Sequence, residues 1–223
     1  MTGATEVLKQ PKQVLARFPL VRNLKEHFIR VAAVADIICE NWTGPTLDRD
    51  TIVAACLLHD VGNIMKIDFD SQWQQELMKR DKELIPEYKE TQSRARAHFG
   101  NDTDAVRAGL LKQAGIEPEL REFIDRARGL QMPRMLREYD YAGMIYLYCD
   151  NRVMPNGVCL LRERIADAKQ RYPGYYETAE RSAIDYEQKL WEIERALQTH
   201  CAIPLDSITD NTIAKHPLWK ALH

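Results

Sequence analysis

The run Ile52-Val53-Ala54-Ala55-Cys56-Leu57-Leu58-His59-Asp60-Val61-Gly62-Asn63 decides how this chain is read. From Ile52 to Leu58 every residue is apolar, with neither a helical stripe nor a strand alternation, which marks a segment buried on all sides. Asp48 stands at capping distance before Thr51 and Gly62 marks an end, so the spacing predicts a helix from Thr51 to about Asp60 at the centre of the core. His59 and Asp60 then emerge from the most hydrophobic helix in the chain. Neighbours on an ideal helix point about 100° apart, so both reach one centre only where the helix is ending or another helix completes the site.

Upstream, Leu24, Phe28, Val31, Ala35 and Ile38 recur at steps of three and four, which predicts an amphipathic helix from about Leu20 to Trp42, broken at Thr43-Gly44-Pro45. His27 lies along the margin of that stripe. Downstream, a long helix expected from Pro133 carries a second apolar segment, Tyr141 to Cys149, and closes on Asp150 before a Pro155-Asn156-Gly157 turn. A carboxylate there needs a compensating cation: Arg152 is the plain partner and a metal ion the other. Singly, each residue has an ordinary reading. His27 fits a hydrogen-bonded core histidine, His59 the negative end of a helix dipole, and Asp150 a solvated helix end. Together, three helices each deliver a metal-ligand type at a core boundary. Two imidazoles and two carboxylates, His27, His59, Asp60 and Asp150, suit one divalent ion, Mn²⁺, Co²⁺, Fe²⁺, Ni²⁺ or Zn²⁺, with Mg²⁺ also an option.

The remaining chain reads as helical too. Residues 67–97 are polar and charged and form a helical insert over one face; an N-cap at 101–103 opens a helix to Gly115, and Glu117-Pro118-Glu119 another to about Arg128. After Pro173-Gly174 a helix is expected from about Tyr175 to Thr199 on the outside of the core, with Tyr175, Tyr176 and Trp191 capping it. The expected fold is all-α and a single domain over 1–223, with a core at about 20–153 and a C-terminal helical extension at about 157–223. At 223 residues and 45% hydrophobic content, a disordered or fibrous chain is excluded. With 31 Lys+Arg against 33 Asp+Glu, the formal charge of −2 leaves no overall field for nucleic acid or anionic membrane. The five arginines of segment 119–140 are matched by five acids, a solvated face of ion pairs and not an extended nucleic-acid surface. No apolar run approaches a membrane span, and five scattered cysteines suit reduced thiols, so the expected setting is the cytoplasm.

The order His27 within Asn23-Leu24-Lys25-Glu26-His27-Phe28, then His59-Asp60 within Leu57-Leu58-His59-Asp60-Val61-Gly62-Asn63, then Asp150, resembles the HD-domain superfamily of metal-dependent phosphohydrolases. The likeness covers about residues 20–153. It implies an HD-like helical bundle with metal at His27, His59, Asp60 and Asp150. It further implies hydrolysis of a small phosphate ester, a nucleotide among the candidates, by a metal-activated water. Arg22, Lys25 and Lys66 are the candidates for the phosphate oxygens, and Asp60 and Asp68 for catalytic carboxylates. A nucleotidase-like branch of the superfamily carries acids three and eight residues after the motif Asp; here those positions hold Asn63 and Asp68. Members with two metals add histidines where this chain offers only His98, so one metal is expected. The other reading is a catalytically weak or inactive module of this type that binds a nucleotide or a protein partner. A homo-oligomer is compatible with either.

Overall fold

The computed structural model describes residues 1–18 and 20–222; Pro19 and His223, the last position of the expected extension, lie outside them. α-Helices and short 3₁₀ turns together hold 69% of the chain, the α-helices in the order α1 (Ala4–Lys9), α2 (Pro11–Leu15), α3 (Arg22–Glu40), α4 (Arg49–Leu58), α5 (Gln72–Leu77), α6 (Ile85–Phe99), α7 (Thr103–Gln113), α8 (Pro118–Arg126), α9 (Met132–Glu138), α10 (Tyr141–Asp150), α11 (Leu161–Arg171), α12 (Ala179–Ala183), α13 (Tyr186–Gln198), α14 (Asp210–Ile213) and α15 (Pro217–Leu222). The described strands are β1 (Val153–Met154) and β2 (Gly157–Val158), paired antiparallel with Val153 opposite Val158 around the Pro155-Asn156 turn. The fold is all-α.

Helix α4 is the axis of the core. Asp48 caps it, its side chain accepting from the Thr51 N–H, and every residue from Ile52 to Leu58 is buried. Each large aliphatic side chain buried there contributes about 1.5–3 kcal/mol, so this helix is held by packing and not by propensity. The amphipathic α3 lies against it, and α10, buried from Gly143 to Cys149, packs on both. These three helices bring residues 27, 59 and 150 to one end of the bundle. The buried cluster around them is continuous from Val7 to Leu218, so the C-terminal helices join the same core.

Two expected helices are each broken. The run expected from Pro133 stops at Tyr139, which takes a left-handed backbone (φ 54), and Asp140 then caps α10 by accepting from Gly143. The late helix is interrupted at Asp185 (φ 50), separating α12 from α13. Tyr139 and Asp185 are both exposed, and a left-handed residue other than glycine at a helix boundary is a rare event that helical periodicity does not announce.

The insert after residue 67 docks through exchanged charges. Glu26 of α3, 6% exposed, binds Arg80 at 2.6 Å, and Arg22 binds the buried Asp81 through its side chain at 3.3 Å and its backbone N–H at 2.9 Å. Gln92 of α6 donates to the carbonyls of Ile64 and Ile67 at 2.7 and 2.8 Å, fixing the 3₁₀ turn Asn63–Lys66 that follows the His-Asp pair.

Candidate metal centre

His59 follows the last residue of α4, and its ring is set by the helix it leaves. Nδ1 donates to the Cys56 carbonyl at 2.7 Å, which fixes the tautomer and presents the Nε2 lone pair to the interior. Phe28 and Tyr146 meet the ring edge-on, at centroid distances of 5.2 and 6.4 Å. His27 reaches the same place from α3 and Asp150 from the end of α10. Both Nε2 atoms lie 3.2 Å from one oxygen, Asp150 Oδ1, and a ligand atom from each of the three residues falls within 4.8 Å of the others.

Asp60 stands beside this trio. Its Oδ2 is 3.6 Å from His59 Nε2 and accepts a short hydrogen bond from the Asn63 amide. Burial opposes the charged form of Asp150, yet the His59 charge and the closeness of both imidazoles to its Oδ1 hold its carboxyl well below the usual range. Burial likewise opposes an imidazolium at His59, and the charges of Asp60 and Asp150 outweigh it, raising that pKa to about 9. The site is thus arranged for positive charge. His59 Nε2, buried, makes no hydrogen bond. An orphaned ring nitrogen facing a second imidazole and a carboxylate is what a divalent ion would satisfy, and the N, N, O donor set matches borderline transition ions.

Residues 24–121 match the family model of the HD domain, a span that holds His27, His59 and Asp60. Over that span the chain is similar to the HD domain, which supports membership of the HD-domain superfamily. Asp150 and the whole C-terminal third lie beyond the matched span of that domain. No curated protein and no solved structure gives a significant match.

The HD site opens into a cleft of about 800 Å³. Lys66 lines it, exposed and three residues beyond Asn63. Of the other residues proposed from sequence, Arg22 is committed to Asp81 of the insert, and Lys25 lies off the cleft on α3. Asp68 also lies off it: its carboxylate accepts from the Asp70 N–H, closing its own turn. His98 is exposed on α6 against Gln113, outside the cleft. Arg152, a possible partner for Asp150, instead turns into the core.

The cleft also contains residues that the sequence reading did not single out. Tyr146 sits one helical turn before Asp150, a spacing that could have flagged it. Arg107 enters from α7 but is engaged by Asp104 and Asp125 at 2.8 and 2.7 Å. Arg164, Arg171 and Arg181 come from the C-terminal extension, as do Tyr175 and Tyr176, which line the cleft; Tyr176 also packs against the core, as does Trp191.

Proposed function

We propose that this HD domain is a metal-dependent hydrolase of small phosphate esters, with a nucleotide as the leading substrate class. The observation that carries the reading is the orphaned Nε2 of His59, buried at the head of a cationic cleft and facing His27 and Asp150. His27, His59, Asp60 and Asp150 would hold one divalent ion. Such an ion, when bound, supplies a water of lowered pKa and draws charge from phosphoryl oxygens.

The chain's own groups prepare that chemistry. The Cys56 carbonyl keeps the proton of His59 on Nδ1, so Nε2 stays available as a donor atom. Asn63 orients the Asp60 carboxylate through its amide. Lys66, at the cleft wall, supplies positive charge toward phosphate oxygens, where a fixed cation stabilises charge developing in the transition state. Phe28 and Tyr146 shield the His59 ring from water.

A second reading is a module of this fold that binds a phosphorylated ligand without turnover. The hydrogen bond from Asn63 to Asp60 favours it, since a titrating acid at that position would be available for proton transfer and an amide is not. The two separate in one experiment. Protein loaded with Mn²⁺ or Co²⁺ is assayed on p-nitrophenyl phosphate, its bis ester and a nucleotide panel, with Asp60→Ala as control. Turnover lost in the variant supports the hydrolase. Thermal shifts by nucleotides with no product from metal-replete protein select the binding module.

A further inference from the structure

The HD match ends at residue 121, so the wall of the cleft contributed by α11 to α13 belongs to this chain's own extension. Its charges are unevenly matched. Arg171 takes the Asp167 carboxylate with two donors, one of them at 2.8 Å, leaving Arg164 only a 3.4 Å contact to the same group. Arg164 Nε is buried without a hydrogen-bond partner. Burial opposes the Arg164 charge, and Asp150 and Asp167 more than restore it, which places this guanidinium within the electrostatic reach of the metal carboxylate.

Arg181 is held differently. Its guanidinium lies 4.0 Å from the Tyr175 ring centroid and 5.3 Å from that of Tyr186. No carboxylate among the described residues forms an ion pair with it, and its Nε is also buried and unpartnered. Stacking on a ring fixes the plane of a guanidinium and leaves its N–H edge directed outward, the presentation suited to a phosphate oxygen. Tyr176, between the two in charge terms, feels both guanidinium groups.

We infer that Arg164 and Arg181 form the phosphate-binding pair of the cleft, receiving the oxygens of the substrate's phosphate or diphosphate from the wall that the extension contributes. This rests on the phosphoester reading above and deepens it. The extension, and not Arg22 or Lys25 of α3, supplies the anion recognition; a planar donor fork recognises phosphate where a lysine offers only a point charge.

The test is calorimetric binding of inorganic phosphate and pyrophosphate to the full chain, stripped with EDTA and then reloaded with Mn²⁺. In the stripped protein the anions bind without the ion, through the two arginines with Lys66 of the cleft wall adding charge. Arg164→Gln and Arg181→Gln each weaken binding about tenfold or more, as loss of a charged hydrogen bond does, while Lys25→Gln leaves it unchanged. Should a Gln variant lose its native circular dichroism, Arg164→Lys and Arg181→Lys serve instead: charge without the fork gives severalfold weaker binding. Wild-type affinity in a folded arginine variant overturns the inference, as does wild-type protein that binds neither anion in either metal state. Arginine-dependent binding in a protein that hydrolyses no ester counts against the hydrolase alone and leaves this pair standing.

Discussion

Arg152 Nη1 donates to the Tyr148 hydroxyl at 2.8 Å, one turn back along the chain, and so points away from Asp150 only two residues before it. The same side chain, fully buried, donates to the carbonyls of Cys159 at 2.5 Å, Leu205 at 2.9 Å and Ile208 at 3.2 Å. Tyr148 passes the chain of hydrogen bonds to Glu194 at 2.9 Å. The end of α10, which presents Asp150, is thereby tied to the segments that close the C-terminal part of the core.

Removing this clasp leaves several buried acceptors without donors, each costing about 1–3 kcal/mol. Arg152→Met is therefore expected to lower unfolding free energy by at least about 3 kcal/mol, read from the urea midpoint. A loss below about 1 kcal/mol would show that water replaces the guanidinium freely and that the clasp is dispensable.

Metal binding is expected to stabilise the native state, because the ligands converge only in the fold. Saturating Mn²⁺ at about a hundred times its dissociation constant adds roughly 2.7 kcal/mol, visible as a higher melting temperature. His59→Ala and Asp150→Asn should abolish both that shift and the stoichiometric metal seen by elemental analysis. His98→Ala, altering an exposed ring beside Gln113, should change neither. An unchanged shift in His59→Ala would remove the metal centre proposed at this site.

What the sequence disclosed follows from the physics of each segment. Ile52–Leu58 and Tyr141–Cys149 were legible because a helix apolar on all sides has nowhere to go but the middle of a core, and the polar residues at their ends then fall at its boundary. His27 was legible from its place on the α3 stripe. The breaks at Tyr139 and Asp185 were not, since neither is a glycine and a left-handed backbone at such a residue leaves no mark in the apolar pattern. Arg22 looked available in sequence only because Asp81 lies far along the chain. Arg164 carries no local signal: beside Leu161, Ile165 and Ala168 it is one more polar residue of an amphipathic helix, and only the packing of that helix turns it toward the cleft.

Gly62 ends the turn after the HD pair where α7 begins, and a Cβ there would stand 2.5 Å from the Thr103 carbonyl oxygen and 3.0 Å from the Arg107 amide nitrogen. Both obstacles are backbone, so they cannot rotate aside. Gly62→Ala must push α7 from the turn that carries Asn63 and Lys66, at a cost of about 1–3 kcal/mol. A folded Gly62→Ala protein with wild-type melting temperature would mean that the turn and α7 yield together.

The metal-free chain should show an unusual loss of stability on the alkaline side. In the fold His59 is faced by Asp60, Asp150, His27 and Tyr146, and its pKa is raised to about 9 from an ordinary 6.5. A raised pKa contributes stability that is complete below pH 6.5 and disappears as pH climbs through 9, an amount on the order of 3 kcal/mol for a buried group. Asp150, held low by the two imidazoles, works in the opposite direction and loses its contribution only in acid. Urea midpoints in EDTA should therefore fall between pH 6.5 and 9.5 more steeply in wild type than in His59→Gln. With saturating Mn²⁺ the trend should reverse, because the ion competes with the proton for Nε2 and its stabilisation grows as protons leave. Parallel profiles for wild type and His59→Gln in EDTA would show that the carboxylates do not hold a proton on this ring.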